Sequence, residues 1–112
     1  MGRINISLRA IIDRPVGYIH NGTVYQLNYG FIEGLFAGDG EEQDVYILSR
    51  KVENLVPLSS FEGVLYAIIH RLNDVEDKWG LTTDAEDFTS EEIAKATFFQ
   101  EQYFTSKIEL IN

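Results

Sequence analysis

The run Gly63-Val64-Leu65-Tyr66-Ala67-Ile68-Ile69-His70 is apolar almost without interruption. A strand this apolar is expected to be central, so residues 62–72 should lie in the middle of a sheet. Ile4, Ile6, Leu8 and Ala10 alternate with polar residues over 3–12, the pattern of a strand with one buried face. Pro15 cannot donate to a ladder and ends this strand within Asp13-Arg14-Pro15-Val16-Gly17. The Asn-Gly pair in His20-Asn21-Gly22-Thr23 predicts a hairpin turn, with Val24 to Leu27 as a short return strand. Residues 44–49 and Trp79 to Thr83 read as further strands.

The character changes after residue 83. Asp84-Ala85-Glu86-Asp87 is a polar loop, and Thr89-Ser90-Glu91-Glu92 has the form of a capping box, with Thr89 as N-cap and Glu92 reaching back. Ile93, Ala96 and Phe99, or Ala96, Phe99 and Tyr103, then follow helical spacing, which predicts a helix over about 90–105 with one apolar stripe. Strands first and one helix last give the α+β class, the helix lying on a small sheet or barrel.

A chain of 112 residues is expected to be one domain, 1–112, with one modest core. Its net charge of −9 argues against nucleic-acid backbones and anionic membranes as partners, though a polyanion accompanied by metal ions is compatible with it. Cysteine is absent, so the fold uses no disulfide and redox says nothing of compartment. No apolar run reaches the about 18 residues of a membrane span. The first residues, Met1-Gly2-Arg3-Ile4-Asn5, form no signal-peptide core, which makes the cytoplasm the default expectation.

The segment Asp39-Gly40-Glu41-Glu42-Gln43-Asp44 carries the chemistry of interest. Carboxylates are hard oxygen ligands suited to Mg²⁺. Packed this densely, they repel one another unless a cation sits among them or they point into water. The segment therefore reads either as a metal site for phosphate chemistry or as a solvated acidic loop. Gly38 and Gly40 let the backbone bend around Asp39, and in an extended segment residues 39 and 41 share a face. The apolar run Val45 to Leu48 follows at once, placing the acids at the mouth of a buried strand.

The run Val24-Tyr25-Gln26-Leu27-Asn28-Tyr29-Gly30-Phe31-Ile32-x-Gly34, followed by Asp39-Gly40-Glu41-x-x-Asp44-Val45, resembles the soluble family I inorganic pyrophosphatases. Their signature is an aromatic–Pro–x–Asn-Tyr-Gly-Phe-Ile segment followed by Asp-Gly-Asp-Pro-x-Asp. The match is dense over 24–48 and weaker, though collinear, elsewhere. The resemblance implies a small, strongly curved antiparallel barrel, OB-like, with one C-terminal helix packed across it. It also implies hydrolysis of pyrophosphate, or another small phosphoanhydride, with Mg²⁺ or Mn²⁺ in a multi-metal carboxylate site. Family members are commonly homo-oligomers.

Carried over residue by residue, the resemblance implies that Asp39, Asp44, Asp74 and Asp77 hold metal, with Asp13 holding metal-bound water. Glu41 orients or deprotonates the attacking water; Tyr29, Lys78, Tyr25 and Tyr103 steady phosphate, and Arg14, outside the family pattern, is the candidate to replace a lost phosphate ligand. Asn28 and Gly30 read as residues that shape the turn, and His70 as a histidine at a strand end. The chain departs from the pattern at several points. Glu41 stands where the family has Asp, and Glu42 where it has Pro. The early hairpin that supplies cationic phosphate ligands is cut down. Phe104 occupies the place of a lysine beside Tyr103, and restoring lysine there is expected to tighten substrate binding, or at least not to harm it. A second reading stays open: a non-catalytic barrel of this kind that binds metal, phosphate or a protein partner.

Overall fold

The computed structural model describes residues 7–74 and 76–111. Its elements are β1 (Ser7–Arg14), β2 (Ile19–His20), β3 (Thr23–Val24), β4 (Tyr29–Phe36), β5 (Glu42–Ile47), a short 3₁₀ turn (Val52–Asn54), β6 (Ser60–Arg71), β7 (Asp77–Thr82), α1 (Ser90–Glu101) and β8 (Ser106–Leu110). The main sheet runs β1-β4-β5-β7-β6-β8, and an additional β1–β6 pairing closes its first five strands into a barrel. β2 and β3 form the expected hairpin on Asn21-Gly22, where both residues take positive φ. The expected first strand begins at Ser7 among the described residues; Ile4 and Ile6 lie outside them.

The sheet is not wholly antiparallel. β5 and β7 run parallel, with Val45 opposite Trp79 and Tyr46 opposite Gly80. Nor is the helix the last element, since β8 returns along the second half of β6. The helix itself ends at Glu101, short of the expected 105, and Tyr103 lies beyond it, exposed. Its start is as expected: Thr89 accepts from the Glu92 N–H, and the Glu92 carboxylate accepts from the Thr89 N–H.

Strand alternation builds two apolar layers. The barrel interior holds Ala10, Ile12, Ile32, Val45, Ile47, Phe61 and Leu81. The opposite face of the same strands presents Tyr29, Tyr46, Leu48, Ala67 and Ile69 to Ile93 and Phe99 of the helix. This double burial is why residues 62–72 carry so little polarity. A register shift in β6 between Leu65 and Ala67 changes which face its side chains take. Phe61 belongs to the interior before it, whereas Ala67 and Ile69 lie under the helix after it. Arg71 continues that outward series.

The Asn-Tyr-Gly segment is structural at two of its three positions. Asn28 is buried, and its amide makes four hydrogen bonds: Oδ1 accepts from the Val16 and Leu58 N–H groups, and Nδ2 donates to the Asn54 and Val56 carbonyls. It ties together loops that strand pairing leaves apart. At Gly30 a Cβ would lie 1.8 Å from the Ile11 carbonyl oxygen, so β1 and β4 approach too closely for any side chain.

Candidate functional site

A cleft of about 620 Å³ opens on the outer face of the barrel, between the hairpin, the ends of β5, β6 and β7, and the C-terminal end of α1. Its ionisable lining comprises Asp13, Asp44 and Glu76 against Arg14, Arg71 and Lys78, with His20 at the hairpin. The acids and the fixed cations balance, three against three, although the whole chain carries −9.

The topology explains these neighbours. Parallel pairing of Val45 with Trp79 sets Asp44 level with Lys78 on one face. Glu76, two residues before Lys78, shares that face. Lys78 Nζ donates to Asp44 Oδ2 and to Glu76 Oε2, each at 2.6 Å, and its side chain is 4% exposed. Tyr29, buried, donates its hydroxyl to the same Asp44 oxygen at 3.1 Å. Burial opposes the Lys78 charge, but hydrogen bonds to the Asp44 and Glu76 carboxylates outweigh it and raise the pKa. Tyr29 is raised chiefly by burial and stays protonated.

Arg71 is pinned from the far side. Its Nε and Nη2 donate to the two carboxylate oxygens of Glu101 at 3.1 and 2.7 Å, and the Phe104 ring lies 3.7 Å from its Cζ. Tyr46 donates to the same Glu101 at 2.6 Å and accepts from Gln100. Arg14 differs from both other cations. Its Nη1 donates to the Tyr25 hydroxyl at 2.6 Å, and its guanidinium lies 5.6 to 6.0 Å from the centres of the Tyr18, Tyr25 and Tyr29 rings. Among the described residues no carboxylate reaches ion-pairing distance of it. The Tyr25 hydroxyl donates in turn to Gln100 on the helix.

Of the residues singled out in the sequence, Asp13, Arg14, Tyr25, Tyr29, Asp44, Lys78 and Tyr103 line this cleft, Tyr103 at its exposed rim. Four others do not. Asp77 alternates away from Lys78 and pairs with His70 Nδ1 at 3.1 Å. Asp74 sits beyond the cleft, 3.8 Å from Arg71 Nη1. Glu41 projects from the exposed turn, where its N–H donates to Asp39. Asp39 is solvent-facing too; that N–H and a side-chain contact with Glu76 hold its carboxyl below the usual range. The sequence reading passed over Glu76 in favour of Asp77, although counting alternation back from Lys78 selects Glu76. Arg71 counts in the sequence only as one of the cations near the site, and the β6 register shift is what turns it to the cleft.

The donors also decide whether a resident divalent cation fits. Asp44 and Glu76 already share an ammonium group, Asp39 touches Glu76 only from the exposed turn, Asp74 faces Arg71 Nη1 as Glu76 does, and Asp77 and Glu41 point elsewhere. Among the described residues no three acidic or histidine side chains converge as a ligand set. A resident divalent ion does not fit this arrangement.

Fold and cleft together define an OB-like barrel of the inorganic pyrophosphatase type. Over 63 residues the chain is 38% identical to the inorganic pyrophosphatase of Aeropyrum pernix; the match takes in 56% of this chain and 32% of that relative. No family model matches. Among solved structures, the inorganic pyrophosphatase of Ehrlichia chaffeensis superimposes with a TM-score of 0.69 at 19% identity, covering 98% of this chain and 90% of the other. That of Coxiella burnetii gives 0.65 at 17% identity, covering 93% and 83%. The Helicobacter pylori enzyme gives 0.63 at 16% identity, covering 93% and 81%. The chain is thus pyrophosphatase-like in fold over almost its whole length and in sequence over about half of it. No helix among the described residues is long and apolar enough to cross a membrane.

Proposed function

We propose that this chain hydrolyses a small phosphoanhydride of the pyrophosphate class, taken as its magnesium complex, in the cleft between the hairpin and the end of α1. The observation that carries this reading is Arg14, a cation held in a cage of three tyrosines with Asp13 nearby but no carboxylate within ion-pairing distance among the described residues. Such a group is poised to receive an anion. The relative from Aeropyrum pernix and the shared fold support pyrophosphate as that anion. Arg14, Lys78 and the Tyr103 hydroxyl bind phosphoryl oxygens in this scheme. Asp13, whose carboxyl pKa is raised above the usual value chiefly by burial, orients the attacking water in place of Glu41. Magnesium enters as part of the substrate, because the resting carboxylates are already paired.

The test is steady-state phosphate release from pyrophosphate over a grid of Mg²⁺ concentrations, alongside calorimetric binding. Arg14→Met should weaken binding about 10- to 100-fold, the loss of one charge-assisted contact. Asp13→Asn should lower turnover and leave binding largely intact. A second reading, binding without hydrolysis, is favoured by the neutralisation of Asp44 and Glu76 by Lys78. Saturable pyrophosphate binding with no phosphate release under any Mg²⁺ condition would establish it.

A further inference from the structure

Two carboxylates, those of Asp44 and Glu76, converge on one atom, the Nζ of Lys78. Asp44 belongs to β5, and Glu76 stands just ahead of β7. Each accepts at 2.6 Å from an ammonium that is almost wholly enclosed. The Tyr29 hydroxyl completes the surroundings of Asp44 from β4, and Arg71 Nη1 adds positive charge 3.9 Å from Glu76. Carboxylate oxygens from β5 and from the residue just ahead of β7 around a shared point are the donor set a divalent cation would take. Here that point holds a side chain tethered to the fold. A metal ion entering it would have to displace the ammonium from both partners and lie beside Arg71.

We infer that Lys78 is a built-in counter-cation: it occupies the Asp44–Glu76 carboxylate pair in the free protein and keeps resident divalent metal out. The inference concerns the free chain and does not depend on catalysis. If turnover fails, it stands; if it fails, Mg–pyrophosphate can still be the substrate. It also states what must change for metal to bind, namely loss of the Lys78 ammonium.

The full chain is melted in EDTA and in millimolar Mg²⁺ or Mn²⁺, and Mn²⁺ binding is titrated by electron paramagnetic resonance without any anion. The wild type should show coincident melts and no saturable Mn²⁺ site. Lys78→Met leaves two carboxylates without their cation. It should melt lower in EDTA, recover with Mn²⁺, and show a saturable Mn²⁺ site where the wild type shows none. Lys78→Arg keeps the charge and should stay indifferent to metal. A saturable Mn²⁺ site with metal-dependent melting in the wild type would overturn the inference. So would a folded Lys78→Met chain that ignores Mn²⁺. If Lys78→Met does not fold even with metal, the wild-type titration decides.

Discussion

Glu101→Gln is expected to be among the most damaging single-atom changes in this fold. Glu101 receives Arg71 through two hydrogen bonds and Tyr46 through a third, and the Arg71 and Glu101 side chains are 5% and 6% exposed. Removing one partner of a buried ion pair typically costs about 3–5 kcal/mol, because the remaining charge stays desolvated. Asp74 and Glu76 lie 3.8 and 3.9 Å from Arg71 Nη1 and compensate in part, which places the loss near the lower bound, about 3 kcal/mol. At roughly 4 °C per kcal/mol for a domain of this size, melting should fall by about 12 °C. Urea unfolding followed by the single tryptophan, Trp79, packed against the barrel interior, reads this directly. The double change Arg71→Met with Glu101→Met removes both charges and should cost less than Glu101→Gln alone. A Glu101→Gln chain within about 0.5 kcal/mol of the wild type, the range of ordinary surface changes, would refute the buried-charge reasoning. So would a double variant no better than the single one.

Gly30→Ala sets a methyl group 1.8 Å from the Ile11 carbonyl oxygen and should unfold the chain or leave it insoluble, judged by soluble yield and circular dichroism. His70 is raised above 6.5 mainly by its hydrogen bond to Glu109, with Asp77 adding to the effect. Its contribution to stability is therefore full below pH 6.5 and is lost as pH rises through the higher folded value. Proton NMR titration should find that raised value, and Glu109→Gln should lower it.

Much of the architecture was written in local sequence. Alternation marked β1, Asn21-Gly22 marked the hairpin, and Thr89 with Glu92 marked the helix start. In each case the signal and the structure share one physical cause, a period or a turn geometry acting over a few residues. The parallel β5–β7 pair and the register shift in β6 depend on partners distant in sequence, and the cleft rests on both. Parallel pairing brings Lys78 to Asp44, and the shift turns Arg71 outward. Asp13, Tyr25 and Tyr29 came from the resemblance and line the cleft, whereas its Asp74 and Asp77 do not, and Glu76 stands there instead. Glu41 was placed by resemblance alone, and the loop that carries it faces solvent.

The same geometry argues against one expectation drawn from resemblance, that a lysine at position 104 would improve the site or at least not harm it. Phe104 is half-buried and its ring lies 3.7 Å from the Arg71 guanidinium carbon, a cation–π contact. The positive charge at this corner of the cleft thus comes from β6, and the residue after Tyr103 supports it. Phe104→Lys loses a contact of about 0.5–2 kcal/mol. It also brings a second cation near Arg71, a repulsion of about 4 kcal/mol at 4 Å separation that the flexible lysine stem largely escapes by swinging into water. A net destabilisation of about 1–2 kcal/mol follows, with weaker rather than tighter pyrophosphate binding as Arg71 loses its support. Phe104→Leu keeps bulk without the ring quadrupole and should fall between the wild type and Phe104→Lys. Urea unfolding and calorimetric titration of the three chains test the order. A Phe104→Lys chain that is as stable as the wild type and binds pyrophosphate more tightly would show that this corner lacks a cation, and that Arg71 serves only to hold the helix.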